Sequence, residues 1–151
     1  MVIIMKSTKG DFEDISPKEI LDLAGELNEI KDDLISTNSS VNRTVYVKIY
    51  YAVFLFLREW LKRHTGYKSL NGEHRKLPNF IKKHGPFDND KNNEVYEELI
   101  LLKKLRHQAD YKLVVPTKSS PNYKNWEFTS INSAFEMANE IIKNFNDYKS
   151  L

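Results

Sequence analysis

Apolar residues recur every three or four positions along most of this chain, which is the spacing of one face of an α-helix. Turn and capping residues divide this pattern into five predicted helices, over residues 17–34, 41–64, 75–84, 93–115 and 131–148. The first begins with Ser16 and Glu19 in the spacing of a capping box, and Thr129 or Ser130 is expected to cap the fifth. No segment alternates convincingly as a strand would, so the sequence predicts an all-α protein.

The second predicted helix is apolar on almost all sides. It has one broad apolar face, and Val47, Tyr51 and Leu55 add apolar surface on the opposite side. The residues of the broad face are Val45, Ile49, Ala52, Val53, Phe56, Trp60 and Leu61. A helix of this kind is either buried centrally or covered by a second subunit.

Glycine and proline set the expected ends of the middle helices. Gly66 is expected to stop the second helix as a C′ residue, and Gly85 to end the third, which carries Pro78 near its first turn. A polar loop over residues 87–92 then leads into the fourth helix. That helix is expected to end before Pro116, because the residue preceding a proline is pushed out of the α region, and residues 118–124 to form a loop.

One charged residue interrupts the apolar face of the fourth helix. Arg106 shares that face with Val95, Leu99, Leu102, Ala109 and Leu113. Asp110 follows one turn later, within reach of the guanidinium group. Burying an arginine costs on the order of several kcal/mol of free energy unless its charge is paired. The segment is therefore either a structural clasp or a site that opens onto a cleft or a partner.

Composition restricts the partners and the compartment. The 151 residues are 40% hydrophobic and 29% charged, which fits one globular domain over residues 1–151. The net charge of +2 is too small for bulk attraction to nucleic acid, so any RNA contact is expected to be local. Cysteine is absent, and no segment has the pattern of a signal peptide or the length of a membrane span, which predicts a soluble, cytoplasmic protein without a membrane partner.

Several kinds of chemistry lack their motifs in this sequence. There is no P-loop, no Gly-x-Gly-x-x-Gly, no His-Glu-x-x-His and no Gly-x-Ser-x-Gly sequence. The histidines include no i, i+4 pair that would place two metal ligands on one helical face; they are His64, His74, His84 and His107. The sequence therefore predicts neither a cofactor nor a metal ion.

Two groups of side chains remain as candidate sites. One is on the fourth helix and the other at the end of the second: Arg106, His107, Asp110 and Tyr111, and Arg58 with His64. An arginine can stabilise a phosphorane-like transition state while a histidine moves a proton, which suits metal-independent RNA cleavage by the neighbouring 2′-hydroxyl. The structural alternatives are a buried ion pair that locks two helices together, and a polar helix end at which His64 caps carbonyl groups.

Three further residues are candidates for nucleotide binding, together with Arg58 and His64. Arg75 and Lys76 belong to a basic stretch around the third helix, which is the best local patch for phosphate and otherwise a solvated face. Tyr51 is expected either to fill the core or an interface, or to stack on a base.

The order of these motifs resembles that of the HEPN family (higher eukaryotes and prokaryotes nucleotide-binding), and most closely its small stand-alone prokaryotic members. The resemblance extends over roughly residues 41–113. The residues that carry it are Tyr50-Tyr51-Ala52-Val53-Phe54 with Arg58, the Gly66 stop, His74-Arg75-Lys76 with Phe80, and Leu105-Arg106-x-x-Ala109-Asp110-Tyr111.

The resemblance implies an antiparallel bundle of about five helices with an up-and-down four-helix core, commonly a homodimer. It also implies a ribonuclease, in many members the toxin of a toxin-antitoxin pair with a small nucleotidyltransferase-like antitoxin. Arg106 would then hold the scissile phosphate, His107 or Asp110 would move or orient a proton, and Tyr111 would support them. The competing hypothesis is a non-catalytic module that binds a nucleotide or a partner protein and uses Arg106 and Asp110 as a clasp.

The chain departs from the Arg-x4-6-His pattern that ribonucleases of this family use near the subunit interface. No histidine follows Arg106 at that distance, and His107 is directly adjacent to it. Arg58 and His64 have the required spacing but lie on the second helix, where six residues place them about 120° apart. They are expected to converge only if the helix is distorted or a second subunit contributes.

Overall fold

The computed structural model describes residues 16–33, 38–68, 71–111 and 130–148. These residues form five α-helices: α1 (Pro17–Ile30), α2 (Asn38–His64), α3 (Glu73–His84), α4 (Asn89–Tyr111) and α5 (Ile131–Asp147). A short 3-10 helix (Lys31–Asp33) follows α1. No strand occurs among the described residues, and the predicted all-α fold is confirmed.

Contacts between helix ends establish an up-and-down bundle. The end of α1 is joined to the start of α2 by a hydrogen bond from Lys31 Nζ to Asn42 Oδ1 (3.4 Å). The start of α2 is joined to the end of α4, where Arg43 donates to the carbonyl oxygen of Ala109 (3.3 Å). Both α1 and α4 therefore run antiparallel to α2.

The last helix completes the four-helix core. Phe87, just before α4, packs edge-on against Phe145 near the end of α5, with ring centres 5.0 Å apart. Helix α5 therefore runs antiparallel to α4, and α1, α2, α4 and α5 alternate in direction. The short helix α3 packs mainly on α4.

Helix α2 occupies the centre of the bundle, where α1, α4 and α5 all pack against it. Its fully buried apolar residues are Val45, Ile49, Ala52, Val53, Leu57 and Leu61. The side that carries Tyr51 and Leu55 is half-buried and packs against the same core. This central position accounts for the apolar character of α2 on all sides without a second subunit.

The predicted caps of the outer helices are confirmed. Ser16 Oγ accepts from the Glu19 backbone N–H (3.2 Å), and the Glu19 carboxylate accepts from the Ser16 N–H (3.3 Å), which completes the capping box. Ser130 Oγ accepts from the Ser133 N–H (3.0 Å) at the start of α5. The predicted positions of Leu34, Leu113, Pro116, Thr129 and the loop 118–124 lie outside the described residues.

Three predicted helix starts were too late, and that of α3, at Glu73 instead of Arg75, is explained by Gly72 below. Helix α2 begins at Asn38 instead of Val41, because a first helical turn tolerates polar residues such as the exposed Ser40. Helix α4 begins at Asn89 instead of after residue 92, because Asp88 acts as its cap: the Asp88 carboxylate accepts from the Lys91 N–H (2.8 Å).

The predictions for Gly66 and Pro78 were wrong. Helix α2 does end at His64, but Gly66 is not left-handed; Thr65 ends the helix, with its hydroxyl and backbone N–H both donating to the Leu61 carbonyl (2.6 and 2.9 Å). The left-handed glycine among the described residues is Gly72 (φ 79°), which starts α3 at Glu73. Pro78 therefore lies inside α3 and beyond its first turn.

A buried asparagine fixes the turn between α3 and α4. The Asn92 amide donates to the carbonyl oxygens of Gly85 (3.1 Å) and Phe87 (3.0 Å), and its oxygen accepts from the Phe87 N–H (3.1 Å). Glycine is required at position 85 for steric reasons, because a Cβ there would collide with the Asn92 side chain and the Ile81 carbonyl. One polar side chain thereby connects the backbone on both sides of this turn.

None of the helices in the described parts of the chain combines the length and the apolar character needed to span a membrane.

Candidate functional site

Arg106 lies at the edge of the core on α4. Val95, Leu99 and Leu102 are buried on the same face, as predicted, and the Arg106 side chain is 19% exposed. Its Nε atom is 2.9 Å from Asp110 Oδ2, so the predicted i, i+4 pair forms. The buried Nε–H does not point at that oxygen, and the contact is therefore an ion pair without a well-directed hydrogen bond. Arg106 opens to the surface and is not sealed in the core.

Two tyrosines of α2 border the Arg106 guanidinium group. Its central carbon is 5.2 Å from the ring centre of Tyr51 and 5.8 Å from that of Tyr50, distances typical of cation–π contacts. Tyr50 is buried and Tyr51 is half-buried. Helix α2 can present both because it lies against α4 over this length.

A histidine from α3 completes this group. The Tyr50 hydroxyl lies 2.6 Å from His74 Nδ1, and the half-buried His74 ring stacks on Phe54 with centres 4.3 Å apart. Gly72 places His74 in the first turn of α3, since its carbonyl accepts from the backbone N–H groups that begin the helix. We refer to Tyr50, Tyr51, His74, Arg106 and Asp110 as the Arg106 site.

Burial and charge determine the protonation states in the Arg106 site. The pKa of His74 is lowered by burial and then by the positive charges of Arg106 and Lys103. The pKa of Tyr50 is raised, mainly by burial. At neutral pH the site therefore holds a neutral imidazole and a protonated phenol. Tyr50 occupies Nδ1, and Nε2 can accept a proton from a substrate in the tautomer in which the Nδ1–H donates to the Tyr50 oxygen.

The sequence did not identify His74 as a site residue. It lies 24 positions from Tyr50 in the chain, so no spacing rule connects the two, and it entered the prediction only among the four histidines and in the His74-Arg75-Lys76 motif of the resemblance. The indirect signal was a histidine shortly after a glycine at a helix start. The α3–α4 packing brings it to the Tyr50 hydroxyl.

The other predicted catalytic residues are placed differently. His107 is exposed on α4, about 100° around the helix from Arg106. Tyr111 is the last described residue of α4, and its side chain lies outside the described part. Among the predicted binding residues, Tyr51 belongs to the Arg106 site. Arg75 and Lys76 are exposed on α3, immediately after His74.

Arg58 and His64 border a separate cleft between the start of α1, the second half of α2 and the end of α5, with a volume of about 660 Å³. Both side chains line it while α2 remains a continuous helix, and the expectation that they converge only through a distortion or a second subunit stays a prediction. Arg58 also pairs with Glu59 (3.3 Å) and lies 3.9 Å from Glu73, the neighbour of His74.

Comparisons of this chain with protein-family models, with curated proteins and with solved structures returned no match.

Proposed function

We propose that this protein is a HEPN-like ribonuclease that cleaves RNA at the Arg106 site without a metal ion. The observation that carries the proposal is the arrangement of a partly exposed Arg106 and a neutral, tyrosine-oriented His74 around the same pair of tyrosine rings. An arginine that can bind a phosphate and an imidazole that can accept a proton are the two groups that this reaction needs.

The reaction follows from the chemistry of these groups. The Arg106 guanidinium binds the non-bridging oxygens of the scissile phosphate, and Asp110 orients it. His74 Nε2 accepts the proton of the 2′-hydroxyl, whose oxygen attacks phosphorus. The 5′-oxygen leaves and takes a proton from water, so the products are a 2′,3′-cyclic phosphate and a 5′-hydroxyl end. Arg75 and Lys76 are exposed beside His74 and would hold neighbouring phosphates.

The biological setting is proposed on the resemblance alone. It supports a homodimer that acts as the toxin of a toxin-antitoxin pair, with a nucleotidyltransferase-like antitoxin and cellular RNA as its partners. The Arg106 site is built from one chain and does not itself require a second copy.

Substitution of the two key residues tests the proposal. Arg106→Ala and His74→Ala are each expected to slow cleavage of a single-stranded RNA in EDTA about a hundredfold or more, because each removes transition-state stabilisation or proton transfer. The rate of the unsubstituted protein is expected to fall as the pH drops below about 6.5, where an imidazole with a lowered pKa becomes protonated. His84→Ala, an exposed histidine on the same helix as His74, is the matched control.

Two outcomes would contradict this assignment. If Arg106→Ala folds by circular dichroism and cleaves normally, the phosphate-binding role is wrong. If His107→Ala abolishes cleavage and His74→Ala does not, the proton is moved by the residue adjacent to Arg106, as the sequence alone had suggested.

A second candidate function is favoured by the same ion pair. The Arg106–Asp110 contact of 2.9 Å against two tyrosine rings is also what a structural clasp between α2 and α4 requires. The protein would then be a non-catalytic module that binds a nucleotide or a partner protein. No RNA cleavage by the unsubstituted chain, together with strong energetic coupling between Arg106 and Asp110, would support this alternative.

A further inference from the structure

Helix α1 exposes apolar side chains along one strip of its surface. Three large hydrophobic residues are exposed in the described part of the chain, and two of them are Leu23 (44% exposed) and Ile30 (45% exposed). They are seven positions apart, so they lie at nearly the same angle on the helix and about 10 Å apart along its axis. Ile20 and Leu27 are partly buried and extend the strip at a and d spacing. We refer to these four residues as the α1 row.

Carboxylates border the α1 row on its solvent side. Helix α1 and the 3-10 helix after it expose one basic residue, Lys18, and six acidic residues: Glu19, Asp22, Glu26, Glu29, Asp32 and Asp33. Glu19 and Glu26 flank the row directly, at the g positions of the same heptads. The chain as a whole has a net charge of +2, so this surface has the opposite sign to the molecule. A partner therefore meets an apolar row with a negative flank.

The spacing of the α1 row favours a helix as its partner. Its apolar residues recur roughly every 3.5 positions, which is about 5 Å along the axis, and a second helix laid along α1 repeats its own apolar residues at the same interval. Residues on one face of a β-strand recur about every 7 Å and fall out of register. An amphipathic helix therefore buries Leu23 and Ile30 together.

The described helices of this chain do not themselves provide such a partner. Two copies of α1 packed antiparallel about a two-fold axis would bring Glu19 and Glu26 of both copies together, because g positions face each other in that arrangement. Helix α3 carries exposed basic residues, but its apolar residues Leu77 and Ile81 are fully buried in its own bundle. The complementary helix is therefore expected in a different protein.

We propose that the α1 row binds a basic amphipathic helix of a partner protein. The apolar residues of that helix cover Leu23 and Ile30, and the lysines or arginines that flank them pair with Glu26 and Glu19. Glu26 makes no ion pair with any described residue, so its carboxylate is available. The inference goes beyond the proposed cleavage, since α1 contributes none of the residues of the Arg106 site.

A designed peptide tests this surface on the full chain. The probe is a fluorescein-labelled peptide of three heptads with leucine at a and d and lysine at e and g, in which repulsion between the lysines prevents self-association. Fluorescence anisotropy is expected to show saturable binding in the micromolar range at about 0.1 M salt, and binding about threefold weaker at about 0.5 M salt. The same peptide with glutamate at e and g is expected to bind at least about tenfold more weakly.

Substitutions on α1 show whether the peptide binds the row. Leu23→Gln is expected to weaken binding about tenfold while circular dichroism stays unchanged, because Leu23 is exposed. Glu26→Gln is expected to weaken binding about threefold. Glu29→Gln is the matched control, since Glu29 is an exposed glutamate of the same helix that lies about 100° around it from Ile30, and it is expected to change binding by less than about twofold.

Four results would overturn the proposal. They are equal binding of the glutamate and lysine peptides, normal binding by Leu23→Gln, equal weakening by Glu26→Gln and Glu29→Gln, and a dimer in sedimentation velocity that Leu23→Gln dissociates. The last result would show that a second copy covers the row. Arg106→Ala is expected to bind the peptide as tightly as the unsubstituted chain, so failure of the proposed cleavage and failure of this inference are observed separately.

Discussion

The energetic role of Arg106 depends on how much water its surroundings admit. Its side chain is 19% exposed and that of Asp110 is 31% exposed, so neither charge is fully removed from solvent. The desolvation cost is then smaller than for a sealed ion pair, and so is the gain from pairing. Two tyrosine rings beside the guanidinium group add cation–π attraction.

A double-mutant cycle measures this balance. Arg106→Met is expected to lower the free energy of unfolding by about 1 kcal/mol, since it leaves the Asp110 carboxylate, which is 31% exposed, without its partner. Adding Asp110→Asn is expected to restore most of that loss, with a coupling energy of about 1 kcal/mol in urea unfolding. Additive effects of the two substitutions would exclude a structural clasp.

At the scale of elements, the turn between α3 and α4 controls the Arg106 site from a distance. His74 is carried by α3 and Arg106 by α4, so their separation depends on how these helices are joined. Asn92 makes three hydrogen bonds across this turn, and Gly85 leaves the space for its side chain. Since Gly85 has an ordinary extended backbone (φ −63°, ψ 163°), its requirement is steric and not conformational.

Gly85→Ala is therefore expected to destabilise the protein by about 1–3 kcal/mol, which thermal unfolding would detect. Gly66→Ala is the matched control: no atom lies within 4 Å of a Cβ at Gly66, and its φ is not left-handed. That substitution is expected to be neutral or to stabilise by up to about 1 kcal/mol. Equal destabilisation by both alanines would show that the Asn92 contact does not limit the turn.

At the scale of the whole molecule, α4 and α5 are joined across a group of carboxylates. Oxygens of Glu94, Glu98 and Glu140 lie within 4.8 Å of one another, and Lys91 Nζ reaches Glu94 (3.3 Å) and Glu140 (3.6 Å). Burial, and after it the charges of Glu140 and Glu94, raise the pKa of Glu98 to about 7 against the lowering effect of Lys91. A carboxyl group in the bundle thus titrates near neutral pH.

This pKa predicts how stability depends on pH. Because the folded pKa exceeds the unfolded value, the contribution of Glu98 to stability is complete at acid pH and is lost as the pH rises through about 7. Glu98→Gln is expected to raise the melting temperature by roughly 2–4 °C at pH 8 and to have little effect at pH 4. Glu97→Gln, at an exposed position beside it, controls for the loss of one charge. Equal shifts at both pH values would contradict the assignment.

The sequence by itself determined what depends on neighbours along the chain. Helical periodicity, the Ser16–Glu19 capping box and the i, i+4 reach from Arg106 to Asp110 are local, because one turn of helix fixes the distances involved. Helix starts at Asn38, Glu73 and Asn89 were misplaced, because polar residues are compatible with either a first turn or a loop.

Only the tertiary structure decided which distant side chains meet. His74 reaches the Tyr50 hydroxyl through the packing of three helices, and the cleft bordered by Arg58 and His64 requires α1, α2 and α5 together. The physical reason is that burial drives these helices together without regard to sequence separation, whereas spacing rules report contacts within one helix. The sequence therefore determined the helices and the place of Arg106 on α4, and helix packing determined that His74 lies in the same site.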